Sequence, residues 1–221
     1  NRRVATNCRL GGIISLRGFA AINKPLSSVQ AAIWITAFSN DDSFKSAAVV
    51  CGADYRCTNN PNSVEDIDWL SHRKVDLIVS YSAPCIFKKS LLSLPNLGCI
   101  NLHCSLLPKF AGLLPSFWAL YENSEILGAT VHRMDSKIDN GPILGQVTLP
   151  ILTNPSMFTT IKCTKQSGGH LMVSVVKDIM DGSQSEKPNF VENHNYYSWP
   201  TVDQIKAFRR DGGRLIWKRQ Y

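Results

Sequence analysis

Apolar runs of strand length alternate along this chain with segments of helical spacing, and short polar or proline-bearing stretches separate them. Residues 31–38 (AAIWITAF) are continuously apolar and rich in β-formers, which predicts a buried strand. Residues 63–73 predict a short helix. Ser63 stands at its N-cap, Glu65 and Asp66 in its first turn, and Ile67 and Leu70 are spaced to face inward. A second buried strand is predicted over 75–80 (VDLIVS), and a helix over 84–94 that Pro95 stops. A third strand spans 97–103, and residues 115–121 open a helix on Pro115. Residues 129–134 (ATVHRM) alternate as a strand, and 145–151 (GQVTLPI) form another, reached through the turn Asp139-Asn140-Gly141-Pro142. Asn154-Pro155 caps a long helix running to about Met180, weakened midway by Gly168-Gly169. Thr201-Val202-Asp203-Gln204 is a capping box, and Gly212-Gly213 closes the last helix.

Strands alternating with helices imply an α/β fold with a mostly parallel central sheet flanked by helices. Residues 1–42 are expected to hold a first strand and helix, although their pattern is poor. The 221 residues suit a single domain, with a catalytic core over about 64–151 and a C-terminal helical extension over about 152–221. Seven cysteines, an odd count without a C-x-x-C pair, read as free thiols in a reducing compartment. Zinc-ligand spacing is absent and no metal is expected. No stretch reaches membrane-spanning length, and a cytoplasmic location is expected. Residues 10–22 weakly suggest a signal peptide, but Arg17 interrupts the apolar run. The absence of an initiator Met reads as a trimmed or incomplete N-terminus. A net charge of +7 favours anionic partners, yet the positive residues are spread too widely to mark a nucleic-acid surface.

The chemistry concentrates at the end of the third strand. In Asn101-Leu102-His103-Cys104-Ser105, the residues Asn101, His103 and Ser105 share one parity and so one strand face. A strand that turns polar on one face is leaving its sheet, and in parallel sheets ligands bind beyond the carboxyl ends. Asp139 stands alone in the later turn. An amide, an imidazole and a carboxylate suit transfer of an acyl unit between nitrogens. The Asn amide donates to the oxyanion of the tetrahedral intermediate, and the His accepts a proton from the attacking amine. The carboxylate orients the imidazole or relays protons through water. Singly, each residue has a plainer reading: Asn101 as a strand-end cap, His103 bonded to a carbonyl, Ser105 as a turn hydroxyl, Asp139 as a turn former.

Taken together, Asn101-x-His103-x-Ser105-Leu-Leu-Pro108-Lys109, Gly112, Gly128-Ala-Thr-Val-His132, Ile138-Asp139-Asn140-Gly141-Pro142-Ile143 and Gln146 resemble the formyltransferases that use 10-formyltetrahydrofolate. That family includes methionyl-tRNA, glycinamide ribonucleotide and sugar N-formyltransferases. The resemblance runs from about residue 64 to 151, and more loosely to the C-terminus. It implies a Rossmann-like domain in which Asn101, His103 and Asp139 are catalytic. It also implies that Ser82, Ala83, Pro84, Cys85 and Ile86 hold the pterin from one side. Ile138 and Asn140 form the other wall, and Leu106 and Pro108 line the folate. The plain alternative for residues 82–86 is a strand-to-helix connection.

The resemblance also narrows the acceptor amine. The glycinamide ribonucleotide enzymes carry a Gly-rich phosphate loop after the first strand, and Gly11-Gly12 lacks that pattern and reads as a turn. The tRNA enzymes carry a further C-terminal domain, for which about seventy residues leave little room. Ala111 also replaces an Arg found in many tRNA and sugar enzymes. Residues 114–120 (LPSFWAL) resemble the sugar-modifying members. Ser105, Lys109, Phe117 and Trp118 are therefore candidate acceptor-binding residues, the two aromatics either stacking on a sugar or base or packing in the core. The aromatic run at 196–201 reads as packing for the last helix. The expected acceptor is a small primary amine, on an amino sugar carried by a nucleotide or other phosphorylated carrier, with a homodimer allowed. The alternatives are a methionyl-tRNA formyltransferase-like enzyme without its usual extra domain, a formyl-folate hydrolase, and a folate- or RNA-binding module without turnover.

Overall fold

The computed structural model describes residues 11–17, 30–36, 46, 49–50, 53–58, 60–83, 85–150, 155–192 and 195–215. The chain divides into two compact units, residues 1–100 and 101–221.

In the first unit, β1 (Gly11–Arg17) lies between β2 (Gln30–Thr36) and β3 (Asp54–Thr58) and runs antiparallel to both. Gly11 and Gly12 therefore sit in a strand, opposite Thr36 and Ile35, and not in the turn that the pair suggests on its own. Strand β4 (Leu77–Tyr81) pairs parallel with β2 on its other side. Helix α1 (Val64–His72) starts where its cap predicts: Ser63 Oγ accepts from Asp66 N–H at 3.2 Å. Asp66 does more than complement the helix dipole. It is buried and accepts from both Arg56 Nε and Thr58 Oγ1, tying α1 to β3.

The helix expected over 84–94 shrinks to one turn, α2 (Lys89–Leu92). The Asn62 side chain explains the loss. Its Nδ2 donates to Ile86 O at 2.9 Å and its Oδ1 accepts from Lys88 N–H at 2.7 Å. Those backbone groups are then unavailable for a preceding helical turn. Strand β5 (Cys99–His103) crosses the division between the units.

In the second unit the strand order is β5-β7-β8, with β7 (Ile126–Arg133) antiparallel to β8 (Ile143–Pro150) and a bulge between Val131 and His132. A two-residue pair, β6 (Ala111–Gly112) with β9 (Tyr196–Tyr197), runs parallel beside them. The long helix α4 (Met157–Met180) is capped by Ser156, whose Oγ accepts from Thr159 N–H at 3.1 Å. The expected cap, Asn154, lies outside the described residues. Gly168 does not interrupt α4. A Cβ there would fall 2.6 Å from Leu102 and 3.0 Å from Ala129, so the missing side chain lets the helix press onto β5 and β7. Helix α5 (Val202–Arg210) carries the full Thr201/Gln204 capping box.

Helix α3 (Pro115–Tyr121) forms as predicted, but it turns Phe117 and Trp118 inward. They are 1% and 5% exposed and join Phe208 of α5 in one apolar cluster. Phe117 lies 5.0 Å from Phe208 and Trp118 4.8 Å from Tyr197, centroid to centroid. Neither presents a face for an acceptor to stack on, so both are corrected from acceptor-binding candidates to core residues. Among the described residues, no helix is long and apolar enough to cross a membrane.

Candidate active site

Strand β5 ends where its polar residues begin, and the segment that follows folds back against it. Ser105 is held there by Thr130, whose Oγ1 donates to Ser105 O at 2.7 Å and accepts from Leu107 N–H at 3.0 Å. Gln146 Nε2 donates to both Leu107 O and Thr130 Oγ1. The Leu107–Pro108 peptide is cis. The Ser105 hydroxyl is buried and donates to Lys109 O at 2.7 Å. It is a turn hydroxyl, and its candidacy as an acceptor contact is withdrawn because the chain itself uses the donor. Lys109 is exposed. This loop carries the Phe110 carbonyl to His103.

Four side chains from three elements, β5, β7 and the turn at 139, then converge. His103 is buried and its Nε2 lies 2.8 Å from Phe110 O, so Nε2 carries a proton and donates it there. Its other nitrogen, Nδ1, faces Asp139 Oδ2 at 3.4 Å. His132, on β7, donates from Nδ1 to its own neighbour's carbonyl, Arg133 O, at 2.7 Å. Its Nε2 meets Asn101 Nδ2 at 3.2 Å and Asp139 Oδ1 at 3.5 Å. His132 thus stands between Asn101 and Asp139. One Asn101 amide hydrogen points to His132, and among the described residues no hydrogen bond is seen for the second.

Asp139 sits in the left-handed region with φ 52°. Its Oδ2 accepts from Gly112 N–H at 2.8 Å. Burial pushes its pKa up. Electrostatic attraction to His103, the hydrogen bond and attraction to His132, and the Gly112 N–H outweigh that effect and hold the group down at about 2. A buried carboxylate that stays ionised beside two imidazoles is suited to holding positive charge as an imidazole gains a proton.

Of the sequence-predicted site residues, Asn101, His103 and Asp139 are brought together. His132 was not among the candidates, although Gly128-Ala-Thr-Val-His132 was part of the resemblance. Leu106 and Pro108 are half-buried, and Ile138, next to Asp139, is 45% exposed. The Asn140 side chain accepts from Val191 N–H at 3.0 Å, which leaves it occupied. In the first unit, Ser82 follows β4 with φ 62°, Ala83 and Cys85 are half-buried, and Ile86 is exposed. Burial raises the Cys85 thiol pKa. Pro84 lies outside the described residues.

Residues 33–176 match the family model described as formyl transferase. A methionyl-tRNA formyltransferase of Agathobacter rectalis is 34% identical over 136 residues, which is 60% of this chain and 43% of that protein. The chain thus spans less than half the length of that curated relative. Among solved structures, a sugar N-formyltransferase from a Shewanella species is 26% identical with a TM-score of 0.55, over 67% of this chain and 57% of that one. The formyltransferase PseJ of Anoxybacillus kamchatkensis, solved with UDP-4,6-dideoxy-4-formamido-L-AltNAc and tetrahydrofolate, is 28% identical with a TM-score of 0.53, over 61% of this chain and 69% of that one. With the family match covering more than half of its residues, on an α/β framework shared with these structures, the chain belongs to the formyl transferase family.

Proposed function

We propose that this protein moves a formyl group from 10-formyltetrahydrofolate to a primary amine, and that the amine belongs to an amino sugar on a nucleotide or other phosphorylated carrier. The observation that carries the reading is the convergence of Asn101, His103 and Asp139, with His132 between the first and the last. The family match runs from 33 to 176, across the division at residue 100, which supports treating both units as one formyltransferase domain.

The folate supplies a formyl group on nitrogen. The acceptor nitrogen attacks the formyl carbon, and the carbonyl oxygen becomes an oxyanion. The free N–H of Asn101 Nδ2 donates to that oxygen, while its other N–H stays on His132 Nε2 and fixes the amide plane. The attacking nitrogen must lose a proton, and His103 Nδ1 takes it, because Nε2 is already committed to Phe110 O. Asp139 Oδ2 stabilises the imidazolium that results. The proton then passes to the folate nitrogen as the carbon–nitrogen bond breaks. No bond to the protein forms at any stage. Leu106, Pro108 and Ile138 are the right chemistry for a pterin: apolar surface left open around a polar loop. Ser82, Ala83, Pro84, Cys85, Ile86 and Asn140 complete the assignment, and Lys109 remains the acceptor-side candidate for a phosphate.

The UDP-linked formamido sugar held with tetrahydrofolate in the PseJ structure supports the amino-sugar acceptor. The identity with the Agathobacter enzyme favours methionyl-tRNA as the second reading. A cytoplasmic setting belongs to the same reading and fits the odd cysteine count. A panel of amines incubated with formyl-folate decides between acceptors: nucleotide-linked amino sugars, glycinamide ribonucleotide and charged initiator tRNA. Formylation of a nucleotide-linked sugar alone is the expected result, and formylation of the tRNA alone would replace it with the second reading.

A further inference from the structure

The Asp139 carboxylate is aimed by its backbone, and the backbone of residues 138–141 is not shaped by its own sequence alone. Asp139 adopts φ 52°, a strained region that an L-residue keeps only when something outside holds it. That something comes from fifty residues further along. The segment beginning at Lys187 is pinned to β8 by two backbone bonds, Lys187 N–H to Ile143 O and Ile143 N–H to Lys187 O, both at 2.8 Å. From there Asn189, only 5% exposed, reaches across with its side-chain amide. Its Nδ2 donates one hydrogen to Asp139 O at 2.8 Å and the other to Gly141 O at 3.1 Å. In between, Val191 N–H donates to Asn140 Oδ1 at 3.0 Å. All three turn residues after Ile138 are thus clamped from one segment.

We infer that Asn189 is a positioning residue, acting through Asp139: by bracketing it with two carbonyl bonds, it sets the direction in which the carboxylate meets Gly112, His103 and His132. The inference rests on the catalytic reading of Asp139 given above. Stability alone is a weaker account of this amide. Its Oδ1 is buried and accepts no hydrogen bond among the described residues, so the group brings an unmet acceptor into the interior along with its two bonds.

The test is a double-mutant comparison of the full chain at a temperature where every variant is folded, with formyl-folate and whichever amine of the panel turns over. Asn189→Leu removes both donors at similar volume, and Asn189→Ala serves if the leucine variant does not fold. Because displacement of a reacting group by about 1 Å costs roughly 100-fold, kcat is expected to fall by about that factor. The KM values for both substrates stay within about twofold, since uniform binding is untouched. Asn189→Leu combined with Asp139→Asn is expected to lose no more than Asp139→Asn alone, because residues acting as a unit are non-additive. A kcat within about threefold of wild type, or losses that multiply in the double variant, overturns the inference and makes Asn189 a structural residue. If Asp139→Asn itself retains wild-type turnover, the catalytic reading falls first, and the inference with it.

Discussion

His103 has its two nitrogens in different company, and that asymmetry assigns the chemistry to one atom. Nε2 is bound to a backbone carbonyl that cannot give up or take a proton, so exchange runs through Nδ1. His103→Ala removes the base and is expected to lower kcat by about 100- to 10,000-fold, with formyl-folate affinity kept, as steady-state rates and a fluorescence titration would show. Asp139 makes a separate prediction about stability. Its folded pKa of about 2 lies below the ordinary value, so its stabilisation is complete above about pH 4 and lost as pH falls through the folded value. Urea unfolding is expected to put Asp139→Asn about 2 kcal/mol below wild type at pH 6, and the gap is expected to narrow steadily from pH 4 to pH 2. A gap that stayed constant over that range would mean that Asp139 is not ionised in the folded protein.

At the scale of elements, the site depends on how closely α4 approaches β5. Gly168 touches Leu102, and Leu102 lies between Asn101 and His103. Gly168→Val adds a branched side chain where no room exists. Overpacking of this kind costs about 1–3 kcal/mol, and valine's small gain in helix propensity over glycine offsets little of it. A lowered melting temperature together with a lowered kcat is expected, and a stabilised, fully active variant would contradict the packing described. Gly112 constrains the opposite side. It has φ 94°, and a Cβ there would fall 2.2 Å from Tyr197 O, a backbone atom. Gly112→Ala must therefore spread β6 from β9 and draw its N–H away from Asp139, and its turnover is expected to drop well below that of wild type.

At the scale of the molecule, the +7 net charge has a consequence for an anionic acceptor. Its field draws phosphates toward the protein, and salt screens it within about 10 Å at 0.1 M. Raising ionic strength from about 0.05 to 0.3 M is expected to lower kcat/KM for a nucleotide-linked amine several-fold while kcat stays level. An uncharged amine of the same shape should show no such dependence. A matching salt effect on both amines would place it in the protein's own conformation.

Local chemistry was legible because its causes are local. The Ser63 cap, the Thr201 capping box, the helix opening at Pro115 and the polar end of β5 each follow from a few adjacent residues and appear as read. Asn101 and His103 stand out where an apolar run ends, and Asp139 in a later turn, as groups with chemistry to offer; that they meet is decided by folding. Contacts between distant segments decided the rest. Asn62 cut short the helix expected over 84–94, and Gly168 proved a contact surface where the pattern showed a weak point. Phe117 and Trp118 went inward because Phe208, some ninety residues later, packs on them. His132 reads as one more position of an alternating strand, and Asn189 as one more polar residue between helices. Their roles arise only when folding brings β7 and the 187–191 segment to Asp139. Sequence determines which groups are available and which short elements form, since both are set by neighbours along the chain. Tertiary structure alone decides which of those groups meet, because that depends on the packing of residues far apart along the chain.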